Sequence, residues 1–170
     1  MKKTLFTTGL IALLMMGLWA VSAAPAPTSF AGTWSLDKGK SEGLNQQLQN
    51  AESITLTITQ DDKELTTKQE IAGSPAPPQT ATYKLDGSET TGDVNLGRMQ
   101  GKATRKAKWM DGGKMIELHS VINVEFQGNP VTITQVQHLE LAEGGKVLKI
   151  HSTSESPRGT QESKLTYNKK

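Results

Sequence analysis

From about residue 30 to the C-terminus, apolar and polar positions alternate with a period of two, and the alternating stretches are rich in Thr, Ile and Val. That period belongs to strands with one buried face. Turn residues interrupt it at short intervals, at Asp61-Asp62, Pro75 to Pro78, Asp86-Gly87, Asp111-Gly112-Gly113, Gly128-Asn129-Pro130, Gly144-Gly145 and Pro157-Arg158-Gly159. The spacing predicts an all-β fold, an antiparallel up-and-down β-barrel of about 8–10 strands. One short helix is expected over Ser41 to Asn50, with Ser41 as its N-cap and Leu44 and Leu48 one turn apart, serving as a lid or a loop. The run Gly92 to Gly97 lacks the strand-to-helix setting of a phosphate loop and reads as a flexible loop at the barrel mouth.

Hairpin turns fix which residues face each other, and facing residues share a side of the sheet. A two-residue turn at Gly128-Asn129 sets Phe126 opposite Val131, Val124 opposite Ile133, Leu118 opposite Leu139 and Ile116 opposite Leu141. A turn at Gly144-Gly145 sets Leu141 opposite Leu148 and Leu139 opposite Ile150, and one at Pro157-Arg158 sets Ile150 opposite Leu165 and Leu148 opposite Tyr167. A four-residue loop at Asp111 to Lys114 sets Trp109 opposite Ile116 and Ala107 opposite Leu118. These strands agree on one apolar inner face. They also align two polar rows: Arg105, Ser120, Gln137, Ser152 and Ser163 inside, with Gln135 nearby, and His119, His138 and His151 outside.

Composition and charge change the picture mainly at the N-terminus. Lys2 and Lys3, the apolar stretch from Leu10 to Trp19 and the small residues Val21 to Ala24 follow the order of a secretory signal, with cleavage expected after Ala23. The alternative is an uncleaved membrane anchor, but the apolar run is shorter than the ~20 residues a spanning helix needs, and no other segment is apolar enough to span, so no membrane anchor is expected after cleavage. Residues 24–30 read as a Pro/Ala tether and 31–170 as a single barrel domain, in a protein exported to the periplasm or the extracellular space. Setting Lys2 and Lys3 aside leaves equal numbers of basic and acidic side chains, which does not match the footprint of a nucleic-acid binder. Without cysteine there is no disulfide, no thiolate nucleophile and no lipid-modified cysteine.

The run Phe30-Ala31-Gly32-Thr33-Trp34-Ser35-Leu36-Asp37, followed by Lys40-Ser41, resembles the first strand of the lipocalins and the wider calycin group. With Thr57-Ile58-Thr59-Gln60-Asp61 and Thr82-Tyr83-Lys84-Leu85-Asp86-Gly87 it is similar to a group of exported bacterial lipocalin-like proteins to which no function is assigned. The resemblance implies structural roles for Gly32 and Trp34, with the Trp34 ring packed across the closed end of the barrel.

The inner polar row is the candidate site: Arg105, Ser120, Gln135, Gln137 and Ser152, with Trp109 nearby. Lys102, Thr104, Lys106 and Lys108 alternate with Ala103, Arg105, Ala107 and Trp109, which turns Arg105 inward. A buried guanidinium needs a partner, and a ligand carboxylate accepting two parallel hydrogen bonds would provide one. The competing reading leaves Arg105 near a mouth, reaching water along its stem, or in solvent after a bulge. His119, His138 and His151 are a weak candidate metal set, since Glu117, Glu140 and Lys149 beside them mark an ordinary solvated face. No metal and no cofactor is expected. The signatures His-Glu-x-x-His and Gly-x-Ser-x-Gly are missing, so an enzyme is not the favoured class. The expected function is binding of a small hydrophobic or amphipathic ligand, anionic and fatty-acid-like if Arg105 is the anchor. The alternative is a protein-interaction module, such as a protease inhibitor or cell-envelope accessory factor.

Overall fold

The structure, a computed structural model, describes residues 26–96 and 99–170. The expected signal segment lies outside the described residues. Ten strands follow one another: β1 (Gly32–Leu36), β2 (Ile54–Gln60), β3 (Glu64–Ile71), β4 (Gln79–Lys84), β5 (Thr90–Leu96), β6 (Met99–Met110), β7 (Met115–Phe126), β8 (Asn129–Ala142), β9 (Val147–Ser156) and β10 (Gly159–Lys169). A five-residue helix, α1 (Gln46–Asn50), lies between β1 and β2. All ladders are antiparallel, in the order β4-β3-β2-β1-β10-β9-β8-β7-β6-β5. The meander rolls up because β1 pairs with β10, giving a near-closed all-β barrel as the turn spacing predicts. Its two edges, β4 and β5, face each other without a ladder; Thr90 Oγ1 donates to Thr82 O across them at 2.7 Å.

Alternation places the apolar side chains inside. Phe30, Trp34, Ile58, Leu65, Ile116, Leu118, Leu139, Leu148 and Tyr167 are buried in one cluster. At one end of the barrel the chain crosses from the β2–β3 turn to the β6–β7 turn. Gln60 accepts from Phe30 N at 2.9 Å and donates to Thr28 O at 3.1 Å, while Thr28 N donates to Gly113 O at 2.8 Å. Beneath this crossing, Trp34 is 0% exposed and its Nε1 donates to Phe30 O at 3.1 Å.

Three local expectations are corrected. The β7–β8 turn falls on Gln127-Gly128, both with positive φ (53° and 78°), which is the requirement of a type I′ turn. The register therefore moves by two residues, so that Val124 faces Val131, Ile116 faces Leu139 and Leu118 faces Gln137. A shift of two keeps every side chain on its face while changing its neighbours. The other three hairpin registers are as expected. The helix does not start at Ser41. Glu42 instead bridges to Lys164 of β10, and Gly43 has φ +69° with its Cα side packed against the Glu162 carbonyl. Asn45 caps the shorter α1, accepting from Leu48 N at 2.9 Å, and Ser41 Oγ accepts from Thr166 N at 3.0 Å. Thr90–Leu96 is a strand rather than a loop. Gly92, Val94 and Leu96 alternate inward with Asp93 and Asn95 outward, a pattern that Gly, Asp and Asn obscure because they are poor strand formers.

Candidate functional site

The inner surface of the long strands is banded. Trp109, Ile116, Leu139, Ile150 and Leu165 form an apolar row across β6 to β10, and the next row is Ala107, Leu118, Gln137, Ser152 and Ser163. The row above carries Arg105, Ser120, Gln135 and Ser154, with Thr90 of β5 beside Arg105. Beyond it the wall is small and apolar again, with Gly92, Ala103, Ile122 and Ile133. A polar belt thus lies between an apolar floor and an apolar rim.

A cavity of ≈150 Å³ opens onto this belt. Arg105, Ser120, Gln135 and Gln137 line it, together with Tyr83, Gln69 and Thr67 from the opposite wall. Arg105 is 7% exposed and points inward, as alternation along β6 requires. Gly92 makes the room: a Cβ there would lie 3.1 Å from Arg105 Nη1. Among the described residues no carboxylate forms an ion pair with Arg105. The acidic residues Glu89 and Asp93, near it across the β5–β6 ladder, lie outside the barrel, paired with Lys106 and Lys102 at 3.0 and 3.1 Å. Residues 1–25, Gly97 and Arg98 contain no Asp or Glu. The guanidinium, which stays charged in proteins, is therefore a buried cation whose open side is the cavity.

Tyr83 completes the belt. Its hydroxyl is 3.0 Å from Ser120 Oγ, and burial pushes its pKa up, opposed by the hydrogen bond to Ser120 and the neighbouring Arg105 charge. It is accordingly a neutral phenol at physiological pH, able to donate a hydrogen bond. Gln135 Nε2 donates to Ser152 Oγ at 3.4 Å. Arg105, Ser120, Gln135 and Gln137 thus come together around one cavity, although in two rows instead of one. Ser152 is buried behind Gln135 and does not line the cavity, and Trp109 stacks on Phe30 at the crossed end, 6.1 Å between centroids. Sequence reasoning missed Tyr83. Its inward direction is legible from alternation with Thr82 and Lys84, but no hairpin ladder connects β4 to β6, so nothing in the sequence brings it to Arg105.

The outer histidine row is broken by the corrected register. His138 faces His151, with ring centroids 6.5 Å apart, but its other neighbour is Glu117, whose Oε2 is 3.1 Å from His138 Nε2. His119 faces Val136 and Lys106. No group of three or more His, Cys, Asp or Glu side chains among the described residues is placed to hold a metal ion.

No protein-family model matches the chain, and no curated protein matches it significantly. Solved structures do. The chain is similar to a zebrafish ileal bile acid-binding protein complexed with cholic acid, at 18% identity over 83% of this chain and 98% of that one, with a TM-score of 0.52. A variant of the fluorescent protein UnaG aligns at 19% identity over 83% of this chain and 96% of that one, TM-score 0.51. A fatty-acid-binding protein from Manduca sexta aligns at 17% identity over 82% and 99%, TM-score 0.45. At these identities the likeness is one of fold alone, a near-closed antiparallel β-barrel.

Proposed function

We propose that this protein binds a small amphipathic molecule and holds its anionic head on Arg105. The observation that carries the reading is a buried guanidinium that faces a cavity and, among the described residues, has no carboxylate paired with it. Burying such a charge is strongly unfavourable unless it is paired, and a carboxylate or sulfonate supplies both the charge and two acceptors in the fork geometry of arginine. Tyr83, Ser120, Gln135 and Gln137 surround that position with hydrogen-bonding groups. The zebrafish protein that shares the barrel holds an acid, cholic acid, which supports the same ligand class here. The site favours binding over catalysis, since Ser120 is bonded to a neutral phenol and not to a general base.

The proposal includes export, with residues 1–23 as a cleaved signal and the binding domain following it, its first residues Thr28 to Phe30 closing the barrel end rather than forming a free tether. A periplasmic location fits that reading. Native mass spectrometry of the protein purified from its own host tests both parts. The expected species begins at Ala24 and carries an acidic amphiphile; a chain retaining residues 1–23, or one that carries a polypeptide and no small molecule, would contradict the respective part.

A further inference from the structure

Resting on the anionic-head reading, we propose that the ligand's apolar tail leaves the barrel sideways between β4 and β5. The ligand class is then single-chain acidic amphiphiles longer than the cavity, including ones whose far end is attached to something large.

Size makes the first step. A cavity of ≈150 Å³ takes a group about as large as benzene, well below the ~300–1,000 Å³ of pockets that enclose a whole drug-sized ligand. An acidic head with a few carbons fills it, so the rest of a longer chain must go elsewhere. The floor is shut by buried Ile150, Leu139 and Leu118, and the crossed end beyond it by Trp34, Phe30 and Trp109.

The lining shows where the way out lies. Thr80 and Ala81 of β4 and Val94 and Leu96 of β5 all border the cavity, on the two strands that face each other without a ladder. No residue of the β1–β2 connection, α1 included, borders it, and neither does the tip of the β7–β8 hairpin at Phe126 to Asn129. Everywhere else among the described strands a ladder of backbone hydrogen bonds would have to break to pass a chain through the wall. Among the described residues, the Thr90–Thr82 bond alone spans the edges of β4 and β5, toward the crossed end, and above it Gly92 contributes no side chain. Val94 and Leu96 supply an apolar border on the β5 side, leading from Arg105 to the outside.

Calorimetry with octanoate, dodecanoate and dodecanoate carrying a biotin amide on its last carbon tests this. Methylenes that touch the apolar border each strengthen binding by up to about fourfold, so dodecanoate should bind more tightly than octanoate. The biotin-capped acid should bind within about tenfold of dodecanoate, because its bulky end is outside. Thr80→Trp, an exposed change at the edge of the gap, should weaken both long acids and leave octanoate unaffected, whereas Gln47→Trp on α1 should change nothing. Circular dichroism confirms that both variants fold. If octanoate and dodecanoate bind but the capped acid does not, the tail is enclosed and the lateral exit is wrong while the Arg105 reading stands. If Gln47→Trp and not Thr80→Trp weakens the long acids, the tail leaves past α1, which also overturns the proposal. If no carboxylate binds, the Arg105 reading fails and this one with it.

Discussion

Trp34 shows how a single side chain commits the chain to a closed, filled end below the cavity. Trp34 is wholly buried, bonded to Phe30 O, and covered on one side by Lys169, whose Nζ lies 5.3 Å from the ring centroid. Replacing it with alanine leaves a cavity under the crossing segment, and urea unfolding of Trp34→Ala should show a loss of roughly 3–5 kcal/mol. Both tyrosines of the chain, Tyr83 and Tyr167, are buried, and burial pushes Tyr167 up to about 12. A raised folded pKa favours the phenol in the native state, so this contribution to stability is complete below about pH 10 and fades as pH rises toward 12. Spectrophotometric titration should therefore show Tyr167 still a phenol at pH 10 and Tyr83 less than half ionised there; half-ionisation of both would mean that the phenols are exposed. The Arg105 direction was legible because four lysine and threonine positions alternate with it. Its partnership with Tyr83 was not, since the two strands meet only through closure of the barrel.

Hairpins were readable as far as their turns were unambiguous. At Gly144-Gly145, Pro157-Arg158 and Asp111 to Lys114 the turn residues fix the register, and the cross-strand pairs follow. Between β7 and β8, Gly128 can be the first or the second turn residue. The structure takes the second, with Gln127 in the left-handed region, and both choices keep the core face. The inner residues were therefore identified correctly, while the neighbours within the polar belt and the outer histidines were not. Segments without a periodic pattern were the least legible: α1 is shortened by a β10 contact, Glu42 to Lys164, that is 122 positions away in sequence terms only a tertiary structure can reveal. The β2–β3 turn offers a test at this scale. Asp61 Oδ1 accepts from Lys63 N at 2.7 Å and Glu64 N at 2.8 Å, and these backbone bonds hold its carboxyl below the usual range. A depressed folded pKa stabilises the native state at pH values above about 4 and ceases to do so as pH falls through the folded value. Asp61→Asn should lower the thermal midpoint at pH 7, and the difference from the parent should shrink as the pH is brought below about 4. A pH-independent difference would assign the effect to something other than the carboxylate.

For the molecule as a whole, period-two patterning and turn spacing made the barrel legible, because each pairing of consecutive strands is a local decision and eight of them along the chain leave few ways to bury the shared face. The cavity volume and the unladdered edge depend on how the first and last strands meet, which no local pattern states. What the whole barrel does follows from placing one cation on a polar belt between two apolar zones. Arg105→Leu removes that cation and fills its place with an apolar side chain, a change that buried charges often tolerate without loss of stability. The decisive measurement is calorimetric titration of the parent and Arg105→Leu with dodecanoate and with dodecanol, the neutral analogue of equal length. The account predicts that the parent prefers the acid, that Arg105→Leu loses at least about tenfold in affinity for it, and that the alcohol scarcely distinguishes the two proteins. Equal affinity of parent and variant for dodecanoate, or no binding of it to the parent, would contradict the account.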